Sequence, residues 1–126
     1  AGHSGREHRA ILTTAQLGEL TRSAERITVD DAILDYMLAV VEKTRSHESL
    51  ALGVSPRGAQ ALYRAVQALA LVEGREYAIP DDVKRLAVPV FAHRVVVNSR
   101  LVMSQRSSEQ AERILQEILT LVEVPL

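Results

Sequence analysis

Residues 59–72 carry one charged side chain, Arg64, among alanine, leucine, valine, glutamine and one tyrosine. Ala59, Leu62, Tyr63, Val66, Leu69 and Ala70 recur on one face at helical spacing. Ala61, Ala65, Ala68 and Leu71 leave the opposite side nearly apolar as well. A helix with so little charge is normally central and buried, and its alanines allow neighbouring helices to approach closely. Ser55-Pro56 supplies the start of this helix. The serine caps free amides, and proline at the first helical position forfeits no needed hydrogen bond. Gly74 is placed to end the helix in the left-handed conformation.

The remaining chain is expected to pack around that element. Thr13 and Gln16 have the spacing of a capping box, and Leu17, Leu20 and Ala24 follow, so a short helix is expected from about residue 14 to 25. Asp30 caps a second helix with the apolar face Ile33, Tyr36, Met37, Val40 and Val41. A loop containing His47, Glu48 and Gly53 then leads to Ser55. After Gly74, residues 76–79 read as an extended link. Pro80-Asp81-Asp82-Val83 opens a fourth helix, which Pro89 is expected to kink or end. Val95-Val96-Val97 is β-branched and compatible with an extended stretch. A last amphipathic helix, about 108–122, turns Ala111, Ile114, Leu115, Ile118, Leu119 and Val122 inward. Glu109, Arg113 and Glu117 remain to pair along its outer face.

The expected architecture is an all-α, compact bundle of about five helices forming one domain over residues 12–126. Residues 1–11 read as a flexible N-terminal linker or an expression remnant. Residues 27–29 and 77–79 both precede acidic helix starts and are alike locally, which points to a minimal ladder between two short extended segments.

Composition bounds the function. The 126 residues fit one domain; 47% are apolar but only 3% aromatic, so the core is aliphatic. Fifteen basic and 16 acidic side chains leave a formal charge of -1, which gives no general attraction for nucleic acid or membrane surfaces. Without cysteine there is no disulfide and no thiolate site. No apolar run approaches the roughly 20 residues of a membrane span, and residues 1–5 lack the apolar centre of a secretory leader. A cytoplasmic location is therefore expected.

Self-contained active-site motifs are missing: no phosphate loop, no Gly-x-Gly-x-x-Gly and no nucleophile elbow. His3, His8, His47 and His93 are scattered, and none forms a metal-binding pair on a helix. His93 is expected to pack or cap. The pairs Asp30-Asp31 and Asp81-Asp82 are explained by helix starts. Neither a catalytic set nor a metal site is read from the chain. The exception in chemical interest is Leu52-Gly53-Val54-Ser55-Pro56-Arg57-Gly58-Ala59. It brings an arginine to a helix start, where the dipole disfavours a cation and favours an anion. Arg57 on these grounds either reaches solvent, pairs with a nearby glutamate, or faces a phosphate or carboxylate.

Leu52-Gly53-Val54-Ser55-Pro56-Arg57-Gly58, then Ala68-Leu69-Ala70-Leu71-Val72-Glu73-Gly74-Arg75-Glu76-Tyr77, Ile79-Pro80-Asp81-Asp82-Val83 and Ala92-His93-Arg94 resemble the C-terminal lid of MoxR-type AAA+ ATPases. Val29-Asp30-Asp31, Asp35-Tyr36, Thr44-Arg45 and Val124-Pro125 fit the same lid, so the resemblance runs from about residue 12 to 126. It implies ATP-driven, chaperone-like remodelling by a protein whose separate α/β core carries the nucleotide loop. It also implies a likeness to hexameric rings, with contacts to neighbouring subunits, and to partners with von Willebrand factor A domains. By the Gly-x-Ser-Pro-Arg match, Arg57 would be the sensor 2 arginine, contacting the γ-phosphate of ATP, with Mg, only when the core is present. No cofactor is expected for the isolated chain, which would hydrolyse no ATP. Gly58 departs from the family's usual alanine, an expected small loss of helix propensity. Arg64, Arg75 and Arg94 fall at motif positions and are expected to be structural, pairing with acidic helix ends or a neighbouring domain.

The rival reading is a helical DNA-binding or protein-docking adaptor, with Arg94, Arg100 and Arg106 on a basic face. Near-zero net charge and the lack of a basic helical stripe oppose it, and neither a nucleic-acid partner nor a membrane is expected.

Overall fold

The computed structural model describes residues 13–98 and 107–125. Among them are helices α1 (Thr14–Glu25), α2 (Asp31–Ser46), α3 (Pro56–Val72), α4 (Pro80–Phe91) and α5 (Ser107–Leu121), with strands β1 (Leu50–Leu52) and β2 (Val96–Val97). The expected linker at 1–11 and the basic-face residues Arg100 and Arg106 lie outside the described residues.

The helix ends follow local chemistry. Thr13 and Gln16 form a reciprocal capping box: Thr13 Oγ1 accepts from Gln16 N at 3.0 Å, and Gln16 Oε1 accepts from Thr13 N at 2.9 Å. Asp30 Oδ1 accepts from Ile33 N at 3.0 Å to start α2. Gly74, at φ 77°, ends α3. Its N–H donates to Leu71 O, and the N–H of Arg75 reaches back to Ala70 O, the double closure of a Schellman turn.

The core is aliphatic, as the composition requires. Ile33, Tyr36, Met37, Val40 and Val41 of α2 meet Leu62 and Val66 of α3, Val83, Ala87 and Phe91 of α4, and Ala111, Leu115 and Ile118 of α5. The helix α3 contacts α1, α2 and α4, which makes it central. Its second side is more open than its composition implies: Ala68 is exposed and Val72 is 82% exposed. The helix α1 lies beside that face but buries no residue fully. Gln67, the polar residue buried in α3, is satisfied by donating to Ile27 O at 3.0 Å.

Two extended contacts complete the frame. Thr28 and Tyr77 form an isolated parallel bridge, through Thr28 N to Glu76 O and Ala78 N to Thr28 O, which is the expected ladder between 27–29 and 77–79. The strand β1, inside a stretch expected to be loop, pairs antiparallel with β2, with Leu50 opposite Val97. Pro89 does not end α4, which continues to Phe91. Pro89 has no N–H to offer the carbonyl of Arg85, an exposed residue that water can serve.

The α3–α4 turn is fastened by charge. Asp82 is fully buried and receives two guanidinium bonds from Arg75, at 2.7 and 2.9 Å, plus the N–H of Ile79 at 2.9 Å. Arg75 also reaches Glu73, which bonds Arg85 in turn. Hydrogen bonds from Arg75, then Arg85, hold the Glu73 carboxyl below the usual carboxylate range.

Candidate functional site

The segment before α3 is pinned to the end of α2. A side chain at Gly53 would put its Cβ 2.7 Å from backbone atoms of Thr44 and Arg45, so only glycine allows this approach. The next residue, Val54, has both backbone polar groups held by α2 side chains. Thr44 Oγ1 accepts from Val54 N at 3.0 Å while donating to Val41 O at 2.6 Å. Arg45 Nε donates to Val54 O at 2.9 Å. Thr44 is buried, so its two bonds form where water does not compete, while the Arg45 bond is part-buried.

From that anchor Ser55 Oγ accepts from Gly58 N at 3.2 Å and Pro56 takes the first helical position, as the sequence predicts. Arg57 follows, exposed, on the first turn of α3. Of the alternatives open at the sequence level, pairing with a glutamate is not seen: Arg57 has no hydrogen bond or ion pair among the described residues. The helix start is thus held by hydrogen bonds, while the arginine it carries is exposed and unpaired among the described residues.

Beside this turn lies an open cleft of about 640 Å³ lined by Arg45, Ala51, Leu52, Gly53, Val54, Ser55, His93 and Arg94. Among the described residues no carboxylate lines it, while Arg45 and Arg94 supply positive charge and donors that suit a polyanion. Arg57 is not a lining residue; it stands two positions beyond Ser55. His93 does not pack or cap as expected, because the chain turns after Phe91 and leaves it exposed.

The three arginines expected to be structural separate clearly. Arg64 lies 3.4 Å from Glu25 at the end of α1, and Arg75 clasps Asp82 at the start of α4. Arg94 has neither kind of partner among the described residues. The expected pairing of Glu117 along α5 is replaced by a long-range one: Glu117 Oε2 lies 2.8 Å from His47 Nε2. His47 Nδ1 accepts the N–H of Ser49 at 3.0 Å, so Nε2 carries the proton and donates to the carboxylate. This bond ties α5 to the turn leading into β1.

Comparison with known proteins gives a consistent picture. Residues 42–118 match the family described as the AAA lid domain. The uncharacterized protein YeaC of Bacillus subtilis is 42% identical over 107 residues, 85% of this chain and 32% of that protein. The chaperone MoxR1 of Mycobacterium tuberculosis is 36% identical over 118 residues, 86% of this chain and 31% of the relative. The chain therefore spans about a third of the length of these relatives. A crystal structure of a candidate ATPase from Cytophaga hutchinsonii shares the fold, with a TM-score of 0.73, 24% identity, and coverage of 83% of this chain and 34% of that one.

Proposed function

The chain belongs to the AAA lid domain family, as the lid of a MoxR-type AAA+ ATPase, and from that premise we propose that it reads the nucleotide state of an attached core through Arg57. The carrying observation is an exposed arginine without an acidic partner among the described residues, held at the start of a central helix by Gly53, Thr44 and Arg45. Ser55 and Pro56 fix the helix start that aims it.

ATP, with Mg, is the ligand of the whole protein in this reading, and its γ-phosphoryl group is the one transferred to water. The lid contributes no nucleophile and no base. Its part is a fixed positive charge at the phosphoryl oxygens, which stabilises charge in the transition state and makes lid position depend on whether the γ-phosphate is present. Closing the lid converts that contact into movement of the bundle as one body, because α2, α3, α4 and α5 share one core. The reading extends to a hexameric ring, in which the lid meets neighbouring subunits, and to chaperone-like remodelling with a partner carrying a von Willebrand factor A domain.

The test is Arg57→Ala in the ATPase that carries this lid. ATP turnover and ATP-dependent assembly are expected to fall together. If both stayed intact, Arg57 would not be the sensor.

A further inference from the structure

The cleft beside Arg57 is lined by an arginine, Arg94, that has no carboxylate partner among the described residues and whose stem packs on the first turn of α3. Gly58 is buried, and a Cβ there would stand 3.3 Å from Arg94 Cδ. The aliphatic stem of Arg94 therefore lies against the first turn of α3, beside the volume that Val54 Cγ1 fills at 2.8 Å. A long side chain packed along its stem presents its charged end in a restricted region. Arg94 lines a cleft together with Gly53, Val54, Ser55 and Arg45, with no carboxylate lining it among the described residues.

Ion pairing elsewhere sharpens the contrast. Arg64, Arg75 and Arg85 each have a carboxylate within 4 Å, whereas Arg94 is exposed and, like Arg22, Arg26 and Arg113, has no carboxylate partner among the described residues; of these four only Arg94 lines the cleft. Arg45 spends its Nε on Val54 O and thereby holds the loop on which the cleft is built.

We propose that Arg94 is a second phosphate-contacting residue of the nucleotide site, binding the polyphosphate chain from the end of α4 while Arg57 meets its terminus from α3. This rests on the reading of Arg57 as the γ-phosphate sensor. The two roles differ. Arg57 reports the terminal phosphate, whereas Arg94 supplies affinity for the phosphate chain as a whole, in the diphosphate as in the triphosphate.

The experiment measures affinity for fluorescently labelled ATP and ADP in the ATPase that carries this lid, together with its melting temperature. The variants are Arg94→Ala, Arg94→Met, Arg94→Lys, Arg57→Ala and Arg64→Ala. Arg94→Ala and Arg94→Met are expected to weaken ATP and ADP alike, by about tenfold, the scale of one charge-assisted contact. Arg94→Lys should recover part of that loss, and Arg64→Ala should bind like the parent.

Arg94→Met keeps the stem and removes the charge. If it bound both nucleotides normally while Arg94→Ala did not, the role of Arg94 would be packing and the proposal would fall. Normal binding by both variants would also overturn it. Arg57→Ala is expected to weaken ATP and spare ADP. If Arg57→Ala changed neither while the Arg94 variants lost both, the sensor assignment would fail and the Arg94 contact would stand.

Discussion

Val54 Cγ1 fills the volume that a side chain on residue 58 would need: a Cβ at Gly58 would stand 2.8 Å from it. Val54 is 1% exposed and has both backbone groups bonded to α2, so it has little freedom to retreat. Gly58 is therefore half of a packed pair, and helix propensity is the smaller part of its effect.

Gly58→Ala should destabilise the chain by about 1 kcal/mol, since overpacking of about 1–3 kcal/mol outweighs a propensity gain of about 1 kcal/mol. Val54→Ala alone should cost about 2 kcal/mol through its cavity. The double variant should lose at least about 1 kcal/mol less than the two losses added together. Urea unfolding of the four proteins measures this, and strictly additive losses would show that the residues do not share volume.

Thr44→Val should cost about 1–3 kcal/mol, because it leaves the N–H of Val54 buried without an acceptor. Thr44→Ser keeps the oxygen and should recover most of that loss. Similar unfolding midpoints for the two variants would contradict the role given to Oγ1.

Tyr36 is 3% exposed, and its hydroxyl has no hydrogen-bond partner among the described residues. Burial correspondingly raises the pKa of its phenol. Tyr36→Phe removes a desolvated polar atom at nearly constant shape and should stabilise the fold by about 1 kcal/mol. A lower melting temperature in this variant would reveal a partner for the hydroxyl.

Glu73 carries the acid dependence of the α3–α4 turn. Its folded pKa is depressed by Arg75 and Arg85, so its contribution is present above the unfolded value of about 4.3 and is lost as pH falls through the folded value. The effect should be small, since the side chain is 37% exposed. Melting temperatures of the parent and Glu73→Gln from pH 7 to pH 3 should therefore converge on acidification. An unchanged gap at pH 3 would remove Glu73 from this role.

Arg57→Ala in this chain alone should change stability by no more than about 0.5 kcal/mol, because the side chain is exposed and unpaired among the described residues. A large drop in an unfolding curve would show that Arg57 holds the fold together, and any loss of ATP binding in the longer protein would then need a structural explanation.

Much of the bundle is legible in the residues themselves. The Thr13–Gln16 box, the Asp30 and Ser55 caps and the Gly74 stop join partners a few positions apart, so the local sequence determines them. The apolar spacing of α2, α3 and α5 likewise identifies the faces that reach the core. Arg57 is legible as an arginine at a helix start, and the ordered motifs around it point to its family.

What tertiary structure alone decided is which distant groups meet. The strand β1 exists because Leu50 finds Val97, and two or three residues have too little intrinsic preference to declare a strand without that partner. Glu117 chose His47 over its own helix, and Arg75 chose a buried aspartate, while Arg94 was left facing a cleft. Charge is visible in a sequence, but the field around it is not: an ion pair needs proximity within about 4 Å, and only the folded chain supplies it. Sequence thus marked the helix that carries Arg57, and packing decided that this arginine and Arg94 stay exposed without a carboxylate partner among the described residues.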